Sequence, residues 1–385
     1  MKKVRLGIIG VGNMGSSHCK NIQDGKCPEI ELVAIADINE KNIENMKEKG
    51  FDKVQYFDDA EKMMDSGLIE AVLIAVPHYD HPKYAIKAME KGLHVMCEKP
   101  AGVYTKQVRE MNNFAKDKNV VFGMMFNQRT NHIYRKAKEL VDSGDYGNIR
   151  RVNWIITNWY RPQRYYDSGD WRATWSGEGG GVLLNQCPHQ LDLLQWICGM
   201  PVKVHAFMQF GKWHDIEVED DVTAYMEFAN GATGCFITTT GDAKGTNRLE
   251  IQMDRAKIVV EKDELHFWEF EMSEPEFSKT NTKPFGKVAA TKVELETDGK
   301  NEQHVGVLNA FAAAILRGEP LVAGGEEGIN GLMLSNAMHL SAWTNADVTL
   351  PVDEDLYYEE LMKRVKTSRR KTVTIQEIAD TSDTY

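Results

Sequence analysis

The feature that most limits what this chain can fold into lies at its start, where the apolar run VRLGIIG passes directly into GVGNMG. Gly10, Gly12 and Gly15 stand there in GxGxxG spacing, between a strand-like run and a helix-like one. The three glycines serve separate ends, namely the tight turn, close approach of backbone to a pyrophosphate, and close packing of helix on strand. The helix that follows offers unpaired N–H groups and a positive dipole end to the phosphates. Asn13 and Met14, inside the same motif, join the glycines as cofactor-binding candidates. Asp37 follows 22 residues beyond Gly15, at the end of the second apolar run. A carboxylate there accepts hydrogen bonds from the adenosine ribose and repels a 2′-phosphate. No arginine sits beside it, which predicts NAD in preference to NADP.

Up to about Phe126, the runs IELVAIAD, AVLIAVP, LHVMCEKP and VVFGMMF alternate with helical patterns such as HPKYAIKAMEKG, whose Gly92 suits a left-handed stop. Several runs are continuously apolar, as strands covered on both faces of a parallel sheet are. Strand, helix, strand, helix in this order predicts a doubly wound α/β domain. At 385 residues the chain exceeds one ordinary core, and two domains are expected. Its 46 basic against 57 acidic side chains, a net charge of −11, argue against a nucleic-acid surface. No run approaches the ~20 apolar residues of a membrane span, and the glycines that interrupt the first run argue against a signal peptide. Six scattered cysteines without a CxxC pair suggest neither disulfides nor zinc, and a reducing, cytoplasmic setting. His78 and His81 lack a third ligand, so no metal site is expected.

The run LHVMCEKP ends in Cys97-Glu98-Lys99-Pro100, at the strand end where open α/β sheets collect ligands. GIIGVGNMG, then AVPHYDH, then CEKP, then EGGG leading to a histidine on a helix, resembles the glucose-fructose oxidoreductase / inositol dehydrogenase / MocA family, in order and over nearly the whole chain. That resemblance implies a Rossmann domain over residues 1–126. It also implies an α+β domain over 127–385 with a large, mostly antiparallel open sheet, and an extension from about residue 352. It places Pro77, His78 and His81 beside the nicotinamide ribose, and Glu98, Asn127, Trp171 and Arg172 against the cofactor. It puts Lys99 on the reacting hydroxyl and the substrate in the cleft between domains, and it implies a homo-oligomer. The sequence after Phe126 is consistent: NQRTNHIYRKAKELVDSGDYG reads as a crossing helix, and RRVNWIITNWY, VKVHAFMQF, VTAYMEF and GATGCFITTT read as strands.

Four of the eight tryptophans fall between Trp154 and Trp175, among tyrosines and arginines. Trp154 is assigned to the core. YRPQRYYDSGDWR has turn residues and reads as a loop, and Tyr160, Arg161 and Tyr166 are the candidates to meet a sugar. In GEGGGVLLNQCPHQLDLLQWICG the apolar spacing after Pro188 is helical, and His189 and Asp192 share a face. Where much of the family has an aspartate paired with the histidine, this chain has Asn185. An amide orients an imidazole but adds no charge to it. His189 is taken as general base and Lys99 as donor to the hydroxyl, with the reverse assignment open and Asp192 a second source of charge or a packing residue. HDIEVEDD (214–221) is expected to be a solvated loop entering a strand, and KRVKTSRRK (363–371) a solvated helix or subunit contact. The resulting expectation is an NAD(H)-dependent oxidation of a ring secondary alcohol on a sugar, glycoside or cyclitol, favouring carbon 3 of a glucose-type ring. An NAD-dependent glycosidase working through transient 3-keto oxidation, an inositol dehydrogenase and a non-catalytic sugar sensor are the alternatives.

Overall fold

The computed structural model describes residues 2–369 and 371. Six parallel strands form the first sheet: β1 (Val4–Ile9), β2 (Ile30–Ala36), β3 (Gln55–Phe57), β4 (Ala71–Ile74), β5 (His94–Cys97) and β6 (Phe122–Met124), in the order β3-β2-β1-β4-β5-β6. The order reverses between β1 and β4, which leaves a crevice at their carboxyl ends. All of β4 and all but one residue of β1 are buried, as their unbroken apolar runs require. Helices α1 (Asn13–Gln23), α2 (Glu40–Glu48), α3 (Ala60–Asp65), α4 (His81–Glu90) and α5 (Thr105–Lys116) connect the strands. Gly92, with φ +73°, stops α4 as expected. Strand β3 was not among the expected runs, because three residues without a fully buried member carry little pattern.

The chain leaves this sheet through a 3-10 turn (Asn127–Thr130) and then α6 (His132–Asp142), which Asn131 caps by accepting from the Ile133 N–H. The expected crossing helix is therefore two pieces. The second sheet has nine strands: β7 (Ile149–Ile156), β8 (Lys203–Phe210), β9 (Glu219–Glu227), β10 (Thr233–Thr239), β11 (Asn247–Met253), β12 (Ala256–Glu261), β13 (Glu264–Phe270), β14 (Ala290–Val293) and β15 (Val348–Thr349). Their order is β14-β13-β12-β11-β7-β10-β9-β8-β15, antiparallel except for β7 beside β10. The helices of this half are α7 (Gln163–Tyr166), α8 (Pro188–Cys198), α9 (Glu274–Thr280), α10 (Gln303–Arg317), α11 (Gly328–Thr344) and α12 (Glu354–Thr367). Trp154 is fully buried on the helix-covered face, 6.1 Å from the Tyr134 ring of α6, so its core assignment holds. The opposite face stays open, with Phe207 63% exposed. Helix α10 returns to the first sheet, where Val307, Leu308, Phe311 and Ala312 share one buried cluster with Val4, Leu6 and Ile8.

Two expectations are corrected in part. HDIEVEDD does enter a strand, at Glu219, but its end is not solvated, for Glu219 and Asp220 are fully buried. Asp220 accepts from the backbone N–H groups of Lys212, Trp213 and His214, and Glu219 from those of Gly181 and Leu183. Carboxylates supplied with several donors lose the cost that normally keeps them in water. KRVKTSRRK is helical only at its start. Beyond α12, Ser368 Oγ donates to Glu217 at 2.6 Å, the Arg369 N–H to the same carboxylate at 2.7 Å, and Lys371 meets Asp167 at 3.6 Å. The segment thus folds back onto the aromatic loop. Arg370 of that stretch and residues 372–385 lie outside the described residues.

Candidate active site between the two sheets

The glycine loop is shaped by backbone alone. Gly10 has φ +84°, and a Cβ there would stand 2.5 Å from the Ala75 carbonyl oxygen. A Cβ on Gly15 would stand 1.9 Å from the Gly10 oxygen, so strand and helix meet too closely for any side chain. Gly12 differs: nothing lies within 4 Å of its Cβ position, which opens a space beside the N-terminus of α1, and that helix has no side-chain cap. This is a cradle for a phosphate. Asn13 and Met14 form the first turn of α1. Asp37 is drawn into the loop, its Oδ2 accepting from the Val11 N–H at 2.8 Å and its Oδ1 from the Asn39 N–H at 2.8 Å. Beside it Ile38 is 89% exposed, an apolar platform in place of the cation that a 2′-phosphate would need.

Pro77 leads into a 3-10 turn over His78–Asp80. His78 Nδ1 lies 3.2 Å from the Glu178 carbonyl oxygen, and its ring meets Trp171 edge-on at 5.9 Å. Burial, then the charges of His81 and Lys99, push the His78 imidazole well below its ordinary pKa. The His81 ring is gripped between the Pro100 and Val76 carbonyls at 2.6 and 2.7 Å, joining the β4 and β5 ends. Glu98 is turned inward: it meets His18 Nε2 at 2.6 Å and accepts from the Lys99 N–H at 3.1 Å. Burial alone would raise its pKa, but the hydrogen bond to His18 and the charges of His18, His304 and Lys99 win, holding it at about 2. Asn127 is fully buried and donates to Gln303 Oε1 at 2.5 Å. Its side-chain Oδ1 has no hydrogen-bond partner among the described residues, and this buried acceptor fits a donor on the nicotinamide half of a dinucleotide.

Lys99, at the end of β5, reaches across to the other half and donates through Nζ to the Asn185 carbonyl oxygen at 3.2 Å. Burial lowers its pKa, against the opposing pull of Glu98 and Glu178. His189 sits in the first turn of α8, buried, with the Phe126 ring edge-on at 6.4 Å. Burial, followed by the charges of Lys99 and His304, depresses its pKa well below the ordinary value and keeps the imidazole neutral. Lys99, Asn185 and His189, expected together, are therefore brought together. Asp192 is not a source of charge for His189: its two oxygens take the Arg129 guanidinium at 2.7 and 2.8 Å, both residues being buried.

The loop before the glycine triplet stacks cations on rings. The Arg161 guanidinium lies over Trp159 and Tyr165, and the Arg172 guanidinium over Tyr165 and Trp171. Arg172 also donates to the Tyr165 hydroxyl at 3.0 Å. Tyr160 is 45% exposed. Tyr166 departs from expectation: it is buried and its hydroxyl donates to Thr240 Oγ1 at 2.8 Å, so it supports the loop from beneath and does not face a sugar. Sequence reasoning passed over His18, His304 and above all Glu178. That glutamate, directly before the glycine triplet, is buried. It accepts from the Ala173 N–H and the Asn185 side-chain amide, with Arg172 at 3.9 Å.

Fold and cradle define a class: dinucleotide-binding α/β proteins with a second sheet facing the nucleotide crevice. Residues 4–126 match the model of the oxidoreductase family with the NAD-binding Rossmann fold, and residues 134–259 that of the GFO/IDH/MocA C-terminal domain. The chain belongs to the Gfo/Idh/MocA oxidoreductase family, and its first third is an NAD-binding Rossmann domain. It is 24% identical to myo-inositol 2-dehydrogenase of Thermotoga maritima, over 90% of this chain and 98% of that one. It is 28% identical to D-glucoside 3-dehydrogenase of Escherichia coli, over 59% of this chain and 68% of that one. It is also similar to the solved WlbA dehydrogenase of Bordetella pertussis in complex with NADH and UDP-GlcNAcA, with 25% identity and a TM-score of 0.78 over 92% of this chain and 99% of that one. No helix among the described residues is long and apolar enough to cross a membrane.

Proposed function

We propose that the protein is an NAD(H)-dependent dehydrogenase of a ring secondary alcohol on a sugar, glycoside or cyclitol, with carbon 3 of a glucose-type ring as its favoured site. The observation that carries this reading is the meeting of Lys99, from the cofactor half, with the segment that bears Asn185 and His189. The names of the relatives, a glucoside 3-dehydrogenase and an inositol dehydrogenase, support the substrate class. Bound NAD supplies the acceptor for the hydride that leaves the carbinol carbon. Lys99 donates to the hydroxyl oxygen and holds it in place. His189, neutral through burial, accepts the hydroxyl proton as the C–H and O–H bonds break and the carbonyl forms. Gly10, Gly12, Asn13, Met14, Gly15 and Asp37 hold the pyrophosphate and ribose. Pro77, His78, His81, Asn127, Trp171 and Arg172 line the nicotinamide end. Tyr160 and Arg161 offer a ring face and a guanidinium to the sugar. Holding the carbinol carbon against the acceptor replaces a bimolecular encounter with a positioned one.

In this reading residues 1–126, sealed from behind by α10, carry the cofactor, and the other described residues of 127–385 the substrate wall, the extension from about residue 352 included. A second copy covers the open sheet face around Phe207, and the six unpaired thiols suit a reducing cytoplasm. The test is incubation with a panel of glycosides, monosaccharides and inositols while following NADH and products. A keto-sugar or inosose formed with NADH is expected. Free sugar plus aglycone without net NADH would instead make the protein an NAD-dependent glycosidase, and saturable sugar binding without turnover would make it a sensor.

A further inference from the structure

Asn185 stands where a carboxylate would ordinarily assist the proton step, and the buried acids around the cleft differ in what holds them. Glu98 is taken by His18 and the Lys99 N–H. Asp192 is taken by Arg129 and Gln195. Glu219 serves Gly181, Leu183 and His339, and Asp220 serves the turn at 212–214. Glu178 alone among them meets the Asn185 side chain, whose amide Nδ2 donates to its Oε1. A carboxylate accepts only, so the donor end of the amide is the end that faces it. On its other side Asn185 receives the Lys99 ammonium on its backbone carbonyl oxygen. One residue thus joins a buried anion to a half-buried cation.

We propose that Glu178 is a positioning residue for the hydroxyl-proton step, acting on Lys99 through Asn185. The missing aspartate is replaced in space by a glutamate seven residues earlier in the chain. The inference rests on the dehydrogenase reading above, in which Lys99 donates to the substrate oxygen. Glu178 adds its negative charge to that of Glu98 beside this donor, and its grip on the Asn185 amide fixes the carbonyl against which Lys99 rests. The groups that face Glu178 are Arg172 from the aromatic loop, Lys99 from the β5 end, Glu219 from β9 and the His78 ring on its own carbonyl. Burial, with Glu219, raises its pKa, against the pull of Arg172, the Ala173 N–H and the Asn185 amide toward the ionised form.

The test compares Glu178→Gln, Asn185→Asp and the double variant. In Glu178→Gln the Lys99 ammonium keeps Glu98 but loses the second of its two anions, and its titration should move down by about one pH unit. That shift is read by NMR of the 13C-dimethylated protein, the signal being assigned by its absence in Lys99→Arg. The alkaline limb of kcat should move to lower pH in the same direction, and kcat should fall by about tenfold or more with KM little changed. Adding Asn185→Asp in that background returns a carboxylate to the site and should restore the alkaline limb. Unaltered NADH fluorescence titration and Tm would show that fold and cofactor cradle survive. An unmoved Lys99 titration in Glu178→Gln overturns the proposal, as does an alkaline limb that stays put or is not recovered by the second substitution. Were no sugar turned over by the unaltered protein, the functional reading would fall, and the Lys99 titration would still decide the part played by Glu178.

Discussion

The two walls of the cleft are built by different means. On the nucleotide side, close approach of backbone to backbone makes the site: Gly15 against the Gly10 carbonyl, Gly10 against Ala75 and open space at Gly12. On the facing side, buried charges make it. Glu219 fastens the glycine triplet, Asp220 the turn before β9, and Asp192 with Arg129 the underside of α8. A site cast in backbone tolerates almost no added atoms, whereas a site hung on ion pairs tolerates shape changes but not the loss of one partner.

Substitutions can break or sharpen that contrast. The largest effect is expected from Gly15→Val, because the obstructing atom is a backbone oxygen that cannot swing aside. NADH binding should be lost, and folded yield with it, as checked by fluorescence titration and circular dichroism. On the charged side, Arg129→Met strands a buried Asp192 and should cost about 3–5 kcal/mol in urea unfolding. Adding Asp192→Leu should recover most of that, and failure to recover would mean the pair is not the source. Gly12→Val sharpens the comparison from the nucleotide side. With nothing near its Cβ position the fold should stand, while NADH binding weakens by about tenfold or more. The smallest effect concerns pH. Glu98 is held at about 2 against a usual 4.5, so its contribution is complete above 4.5 and drains away as pH falls toward 2. The stability gap between the unaltered protein and His18→Phe should therefore be widest near neutrality and close below pH 2, as followed by acid unfolding.

The same contrast explains which parts of the molecule are legible in its sequence. The glycine loop, Asp37 and the strand ends are legible because their constraints are local: a turn, a close approach, an apolar run. The pairing of Lys99 with the segment bearing His189 comes through motif order. The charged scaffold is not legible, since Arg129 and Asp192 lie 63 residues apart and nothing in either neighbourhood announces the other. HDIEVEDD looks like a surface stretch for the same reason. Composition counts its charges, but only the fold reveals the backbone donors that receive them. Glu178 is easily overlooked beside three conspicuous glycines, and the signal it offers is its place seven residues before an amide where an acid is customary.

Helix α10 bears on how such a chain is made. The stripe of Val4, Leu6 and Ile8 is sealed by Val307, Leu308, Phe311 and Ala312, some three hundred positions later in synthesis. A polypeptide emerging from the ribosome can assemble its first six strands early, but it carries an oily, unsealed flank until most of its length has followed. A fragment ending at residue 126 would keep that flank bare for good, and clumping is the outcome to expect of it.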